Sequence, residues 1–239
     1  MTIRAVCFDA TGTLIEVAES VGTVYHRAAL EHGVKLAAWR LDDAFARVLR
    51  HPPSLAEASV SGASRAQREA AEIAWWTNRV RQTFQATDST VEFADPKSLA
   101  RSLFELYRRP ESWRVRSGAH ELLAALRQAG LRLGLASNFD HRLLDILKGL
   151  DLIGFFEQIE IPSLHGYAKP DPRVFEALAS ALGARPEDLA YVGDDAPEVL
   201  AAIGRLGLRV FDVRSVTNLS DLAGVLRAGV QTESLSWSR

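Results

Sequence analysis

Phe8-Asp9-Ala10-Thr11-Gly12-Thr13-Leu14 (FDATGTL) closes the first apolar run of the chain. That run, Ile3 to Phe8 (IRAVCF), is short, mostly apolar and carries β-branched members, so it reads as a buried strand stopping at Asp9. Thr11-Gly12-Thr13 supplies the turn. A single acid at a strand end is, taken alone, often only a turn former. The residues at the ends of the other strands decide how this one is read.

Working outward, the character changes from about Val17 to Tyr107, where Ala, Arg, Glu and Leu dominate. Leu41, Phe45, Val48 and Leu49 form one stripe at helical spacing, and Ile73, Trp76, Val80 and Phe84 another. Loops are expected around His51-Pro52-Pro53 and Asp88-Ser89. After Trp113, strands are predicted at Leu131 to Ala136, Phe156 to Ile161, Leu189 to Val192 and Leu208 to Val213. The helices between them are predicted at His120 to Ala129, Asp140 to Leu147, Pro172 to Leu182, Pro197 to Leu206 and Leu219 to Leu226. This alternation predicts an α/β fold: a Rossmann-like parallel sheet with helices on both faces, interrupted after its first strand by a helical insertion. The expected boundaries are 1–15 and 113–239 for the α/β core and 16–112 for the inserted α-helical cap.

The chain has 239 residues, 47% of them hydrophobic and 24% charged, enough for one large domain with an insertion or for two modest ones. A formal net charge of -2 gives no global field favouring nucleic acid or an anionic membrane. Arg108-Arg109 and Arg114-Val115-Arg116 are short enough to be solvated faces. Cys7 is the only cysteine, which excludes an internal disulfide and a cysteine-based zinc cluster. No apolar run reaches the roughly 18 residues of a membrane span, and the first ten residues lead into a strand instead of a signal peptide. The expectation is a cytoplasmic protein, monomer or homodimer, with neither nucleic acid nor membrane as partner.

Ligands of such sheets bind beyond the carboxyl ends of the strands. The residues there are Asp9 after the first strand, Ser137-Asn138 after LRLGLA, and Gly193-Asp194-Asp195 after LAYV, with Lys169-Pro170-Asp171 opening the helix after IEIP. Together they are the inventory for a phosphoryl group and a divalent metal. Asp9 is suited to attack phosphorus and form an aspartyl-phosphate. Asp194, with Asp195, would join Asp9 in holding Mg²⁺, which prefers hard oxygen ligands and lets two anions meet. Ser137, Asn138, Lys169 and the backbone N–H groups of Thr11-Gly12-Thr13 would hold phosphoryl oxygens. Each feature alone has a bland reading as a turn, a helix cap or a surface lysine; their joint order argues otherwise.

On those residues, the chain resembles the haloacid dehalogenase-like hydrolase superfamily over nearly its whole length. Phe8 to Leu14 matches its first motif (Asp-x-Asp-Gly-Thr), Ser137 the second, Lys169-Pro170 the third and Gly193-Asp194-Asp195 the fourth. The helical block matches the type with a cap inserted after the first strand. Trp75-Trp76, Gly130-Leu131-Arg132-Leu133 and Ser137-Asn138-Phe139-Asp140 look most similar to the subgroup called haloacid dehalogenase-like hydrolase domain-containing protein 3. The resemblance implies Asp9 as nucleophile and metal ligand, the main-chain carbonyl of Thr11 as a second ligand and Asp194 as a third. It assigns Ser137 and Lys169 to the phosphoryl group, Mg²⁺ as cofactor, and a small phosphorylated metabolite as substrate.

Two departures matter. The family's phosphatases carry a second Asp two residues after the nucleophile, where it protonates the leaving group; here Thr11 stands there. The fourth motif usually carries a further Asp, where this chain has Glu198 and Val199; Glu198 is suited to outer contacts and Asp195 to compensation. Three functions fit: a weak or specialised phosphohydrolase, a catalytically impaired protein that kept the site for binding, and a dehalogenase-type hydrolase. Glu16, Glu19 and His26 are candidate stand-ins for the missing acid. Of Trp75 and Trp76, one is expected in the cap core and the other on its surface or interface; His165 reads as a loop residue and Cys7 as core.

Overall fold

The computed structural model describes residues 2–50 and 62–228, so the expected loop at His51-Pro52-Pro53 lies outside the described residues. Ala5–Phe8 form β1, buried at every position because both its faces are covered. Val6 and Phe8 point into one apolar cluster while Ala5 and Cys7 point into another, as the two-residue period of a strand requires. The chain then makes β2 (Ile15–Val17) and four helices: α1 (Val21–Glu31), α2 (Ala38–Val48), α3 (Arg65–Thr87) and α4 (Pro96–Leu106). Helix starts follow local chemistry. Ser64 and Gln67 form a reciprocal capping box before α3, and Asp95 caps α4 ahead of Pro96.

After β3 (Trp113–Val115) come α5 (Ala119–Gln128), β4 (Arg132–Ala136), α6 (Arg142–Gly149), β5 (Gln158–Glu160) and the short α7 (Pro162–His165). The chain continues with α8 (Pro172–Ala181), β6 (Leu189–Gly193), α9 (Pro197–Arg205), β7 (Arg209–Asp212) and α10 (Leu222–Ala228). Five strands pair in parallel in the order β5-β4-β1-β6-β7, with Cys7 opposite Gly134 on one side and Tyr191 on the other. The chain builds the sheet on one flank of β1 and then crosses to the other. That switch leaves Ser137, Asp9 and Asp194 at adjacent strand ends, where open parallel sheets bind ligands.

Three features differ from expectation, the first being α7, which puts His165, read as a loop residue, at the end of a short helix. Ile15–Val17 and Trp113–Val115 pair antiparallel, tying together the two points where the chain leaves and rejoins the sheet region. Three-residue strands are too short for any periodic signal. The last helix begins at Leu222, because Leu219–Asp221 is a 3₁₀ turn capped by Asn218.

Helices α1 to α4 have an apolar cluster of their own, in which Tyr25 stacks on Phe84 with ring centroids 5.4 Å apart and meets the edge of Phe45. Their seam with the sheet region is polar and buried. Glu72 of α3 accepts from Ser163 Oγ at 2.6 Å and lies 2.7 Å from His141 Nδ1. Arg108 Nη2 stands 3.1 Å from His141 Nε2. A guanidinium only donates, so Nε2 accepts and Nδ1 carries the proton toward Glu72. Next to it, Arg142 makes a two-pronged bond to Asp140 and donates to the Phe104 carbonyl of α4, with its guanidinium 3.8 Å from the Phe104 ring centroid. Removing one member of such a buried pair strands the other's charge. Asp140→Ala is expected to cost about 3–5 kcal/mol in urea unfolding; a loss below about 1 kcal/mol, the range of an exposed pair, would contradict the assignment.

Candidate active site

Asp9 is held where β1 ends, its N–H donating to the Val192 carbonyl of β6 at 2.9 Å. Its carboxylate is buried, and Oδ1 accepts from Lys169 Nζ at 2.7 Å. The same ammonium donates to Tyr191 Oη at 2.6 Å and lies 3.1 Å from Asp195 Oδ1, while the Tyr191 hydroxyl donates to Asp195 Oδ2. Burial works against charge on Lys169, but Asp9 and Asp195 outweigh it and raise the lysine above its ordinary pKa. Burial pushes the Asp9 carboxyl up to about 6, opposed by Lys169 and reinforced by Asp195 and Asp194. With the ammonium occupied by three partners, Lys169 fixes Asp9 through Oδ1; Oδ2 has no hydrogen bond among the described residues.

The turn after Asp9 is built around Asp194. Gly12 adopts φ +81°, and a Cβ there would lie 2.1 Å from Asp194 Oδ2. Thr13 Oγ1 donates to Asp194 Oδ1 at 3.1 Å, and Arg116 clamps the turn from outside by donating to the Gly12 carbonyl at 2.6 Å. The N–H groups of Gly12 and Thr13 are spent on the carbonyls of Ile15 and Ala10. They are therefore not anion donors as expected from sequence, and the turn's contribution narrows to Thr11. On the other flank, Ser137 is buried with Oγ accepting from Phe139 N–H at 3.3 Å, which leaves its hydroxyl proton to donate elsewhere.

The strand-end residues do converge. Asp9, Thr11, Gly12, Ser137, Asn138 and Lys169 line one cavity of about 900 Å³, together with Asp194 and Asp195. Thr13 touches it only through Asp194. Two roles shift. Asn138, expected to bind substrate, uses both ends of its amide on the Lys169 peptide, donating to its carbonyl at 3.0 Å and accepting from its N–H at 2.7 Å. It positions Lys169. Asp195, expected to hold metal, is instead bound to Lys169 and Tyr191. Glu198 is exposed on the first turn of α9, and His26 is turned away onto the Leu36 carbonyl. Glu19 is on the surface with Arg27, whereas Glu16 lines the cavity while bonded to Arg114 at 2.8 Å. Trp75 and Trp76 both line the cavity, so neither is simply core or surface. His165 pairs with Glu160 outside the cavity; burial pushes the Cys7 thiol well above its ordinary range.

Tyr191 was missed, yet its signal was available: a tyrosine in an otherwise apolar buried strand must find a partner for its hydroxyl. Arg116, read as a solvated residue, gave no such signal. The donor set suits a hard divalent cation. Three carboxylates, Asp9, Asp194 and Asp195, line the cavity beside one ammonium, Lys169, which is bound to only two of them, Asp9 and Asp195, so negative charge is in excess, and Gly12 leaves the space in which Asp194 sits. Glu72, Asp140 and His141 also lie close enough to share an ion, but their ligating atoms are already engaged with one another, Ser163 and Arg142. Gly12→Ala should displace Asp194, abolish stabilisation by Mg²⁺ in thermal unfolding, and cost at least about 1–2 kcal/mol from the left-handed backbone alone. Wild-type Mg²⁺ stabilisation in that variant would contradict this geometry.

The sequence matches the family described as haloacid dehalogenase-like hydrolase over residues 3–204. A zebrafish (Danio rerio) relative, haloacid dehalogenase-like hydrolase domain-containing protein 3, is 31% identical over 210 residues, covering 87% of this chain and 83% of its own. Among solved structures, a haloacid dehalogenase-type (HAD) phosphatase from Thermococcus onnurineus superposes with TM-score 0.61 at 18% identity, covering 96% of this chain and 100% of its own. A 2-haloacid dehalogenase from Pseudomonas syringae pv. Tomato gives 0.59 at 19%, covering 95% and 99%. At those identities the structures speak to the fold, which phosphatases and dehalogenases share. With a buried strand-end aspartate held by a lysine from a later loop, the family match over residues 3–204 and a relative 31% identical over most of both chains, the chain belongs to the haloacid dehalogenase-like hydrolases.

Proposed function

We propose that this chain is a Mg²⁺-dependent phosphohydrolase of weak or specialised turnover, acting on a small phosphorylated metabolite through an aspartyl-phosphate at Asp9. The observation that carries the reading is the Lys169 anchor on Asp9 Oδ1, which leaves the second carboxylate oxygen without a hydrogen bond among the described residues, on a residue that lines the cavity. The helical insertion, residues 16–112, is read as the cap that closes over residues 1–15 and 113–239 and excludes water.

In this reading, Mg²⁺ bound by Asp9 and Asp194, with the Thr11 carbonyl, would neutralise the phosphoryl group so that a carboxylate can approach it. Asp9 Oδ2 attacks phosphorus while Lys169 keeps Oδ1 in place. The Ser137 hydroxyl donates to a phosphoryl oxygen as charge redistributes. Tyr191 and Asp195 hold the Lys169 ammonium from behind, and Asn138 fixes its backbone. No acid stands at position 11 to protonate the leaving group or to activate water in the second half-reaction. Positioned acid-base catalysis contributes about 10²- to 10⁴-fold, so its absence slows alkyl esters most, because an alkoxide needs a proton on departure.

A second reading, a protein that binds phosphate compounds without turnover, draws on the same Thr11 and on Glu198 standing exposed instead of at the acidic rim. A dehalogenase reading is disfavoured by Asp194 and Asp195, which crowd negative charge into a site where a haloacid carboxylate would have to bind. The test is a steady-state panel with Mg²⁺. Acetyl phosphate should be turned over faster than glycerol 1-phosphate, and Asp9→Asn should remove both activities. Thr11→Asp should raise glycerol 1-phosphate turnover by about 10²-fold or more. Equal rates on the two compounds in the wild type, or no gain in a Thr11→Asp protein that still binds Mg²⁺, would contradict the role given to position 11.

A further inference from the structure

The cavity has two unlike ends. Its floor is the acidic rim around Asp9, and its walls are aromatic and aliphatic: Tyr25 of α1, Phe45 of α2, and Trp75, Trp76 and Val80 of α3. Phe104 and Tyr107 at the end of α4 continue the wall, and Trp113 and Phe139 complete it from the sheet side in edge-to-face contact at 5.4 Å. Away from the rim, two charged residues line the cavity, and both are committed. Arg142 is buried, its guanidinium spent on Asp140 and the Phe104 carbonyl and enclosed by the rings of Trp76, Phe104 and Phe139. Glu16 is bonded to Arg114 and would repel an anion.

Among the described wall residues, therefore, no cation is available for a second phosphate or a carboxylate on the substrate. Placing such a group there unpaired would be costly. The described wall residues carry two buried polar atoms without a hydrogen-bond partner, Trp76 Nε1 and Tyr107 Oη, enough for one or two polar groups on a ring but fewer than a polyhydroxylated chain would need to replace its hydrogen bonds to water. A planar ring, by contrast, would bury apolar area against edges and faces of aromatic side chains. Position 11 points the same way on separate grounds. A site without a leaving-group acid works best on esters whose alcohol departs as a stable anion, and a phenol does so far more readily than an alkyl alcohol.

We infer that the substrate is the phosphate monoester of an uncharged aromatic alcohol, its ring held among the cap rings and its phosphoryl group at Asp9; this rests on the phosphohydrolase reading. The bond from Asp9 Oδ2 to phosphorus forms as the phosphorus–oxygen bond to the aryl group breaks. The electron pair leaves with the aryloxide, which takes a proton from water. A second water then attacks phosphorus, giving one proton to the hydroxide left by the first, the bond to Asp9 breaks, the carboxylate is restored, and inorganic phosphate departs with the oxygen of that water. Aryl phosphate and water become phenol and phosphate, with no oxidant or other reactant.

The experiment separates ring recognition from leaving-group chemistry by using phosphonates, which cannot be cleaved. Binding of phenylphosphonate and methylphosphonate to the full chain with Mg²⁺ is measured by calorimetry. Phenylphosphonate should bind about 10- to 100-fold tighter, the gain expected for burying one ring. Trp76→Ala and, separately, Trp75→Ala should each shrink that ratio. Equal affinities in the wild type overturn the inference, and this comparison needs no variant to fold. Asp9-dependent turnover of acetyl phosphate is measured alongside. Turnover with equal phosphonate affinities overturns the aromatic class alone; no turnover overturns the phosphohydrolase reading beneath it.

Discussion

One buried ammonium organises the site. Lys169 sits at the floor of the cavity with Asp9, Asp195 and the Tyr191 hydroxyl around it, each within about 3 Å. Without that cation, Asp9 would be a desolvated carboxylate beside Asp195, and burial would drive it toward the protonated form. With it, Asp9 keeps a fixed orientation and stays competent as an anion near neutral pH. The sheet order serves this arrangement: β1 lies between β4 and β6, so the loop bearing Lys169 can reach across from beyond β5 while Asn138, just past β4, grips its peptide at both ends. The rest of the rim, from the Gly12 turn to Asp194, is fitted around that first pair.

The helical insertion contributes chemistry of a different kind. Its contact with the sheet region is a run of buried polar bonds, Glu72 to His141 and Ser163 and the Phe104 carbonyl to Arg142, whose charge Asp140 balances from the sheet side, while its face toward the cavity is rings. Buried ion pairs are poor sources of net stability but enforce geometry, because any shift leaves a charge without a partner. They are suited to set where the aromatic wall stands above the phosphoryl end. The apolar wall and the missing acid at position 11 then have one common consequence, a preference for esters of apolar alcohols that leave easily.

The fold was legible because strand ends and turns leave local marks. Phe8-Asp9 followed by Gly12, and LAYV followed by Gly193-Asp194, announce parallel strands running into a common rim, and Asp9, Ser137, Lys169 and Asp194, read from their places at the strand ends, do line one cavity. What escaped depends on contacts between distant segments. Nothing local in Asn138 says that it holds a peptide 31 residues away, nor in Arg116 that it clamps a turn 104 residues earlier. The split between Asp194 and Asp195 was illegible for the same reason: adjacent in sequence, one faces Gly12 and the other Lys169. Trp75 and Trp76 are neighbours on α3 whose rings meet edge to face at 4.9 Å, and both reach the cavity, a contact that their spacing alone does not announce.

The central claim is that Asp9 takes the phosphoryl group covalently. The most direct test mixes the protein with Mg²⁺ and acetyl phosphate, quenches in acid within the first turnover, and maps the phosphorylated peptide by mass spectrometry. A phosphoryl group on Asp9, absent from Asp9→Asn, is the predicted result. Release of phosphate from acetyl phosphate with no phosphoryl group on Asp9 at any quench time would contradict it.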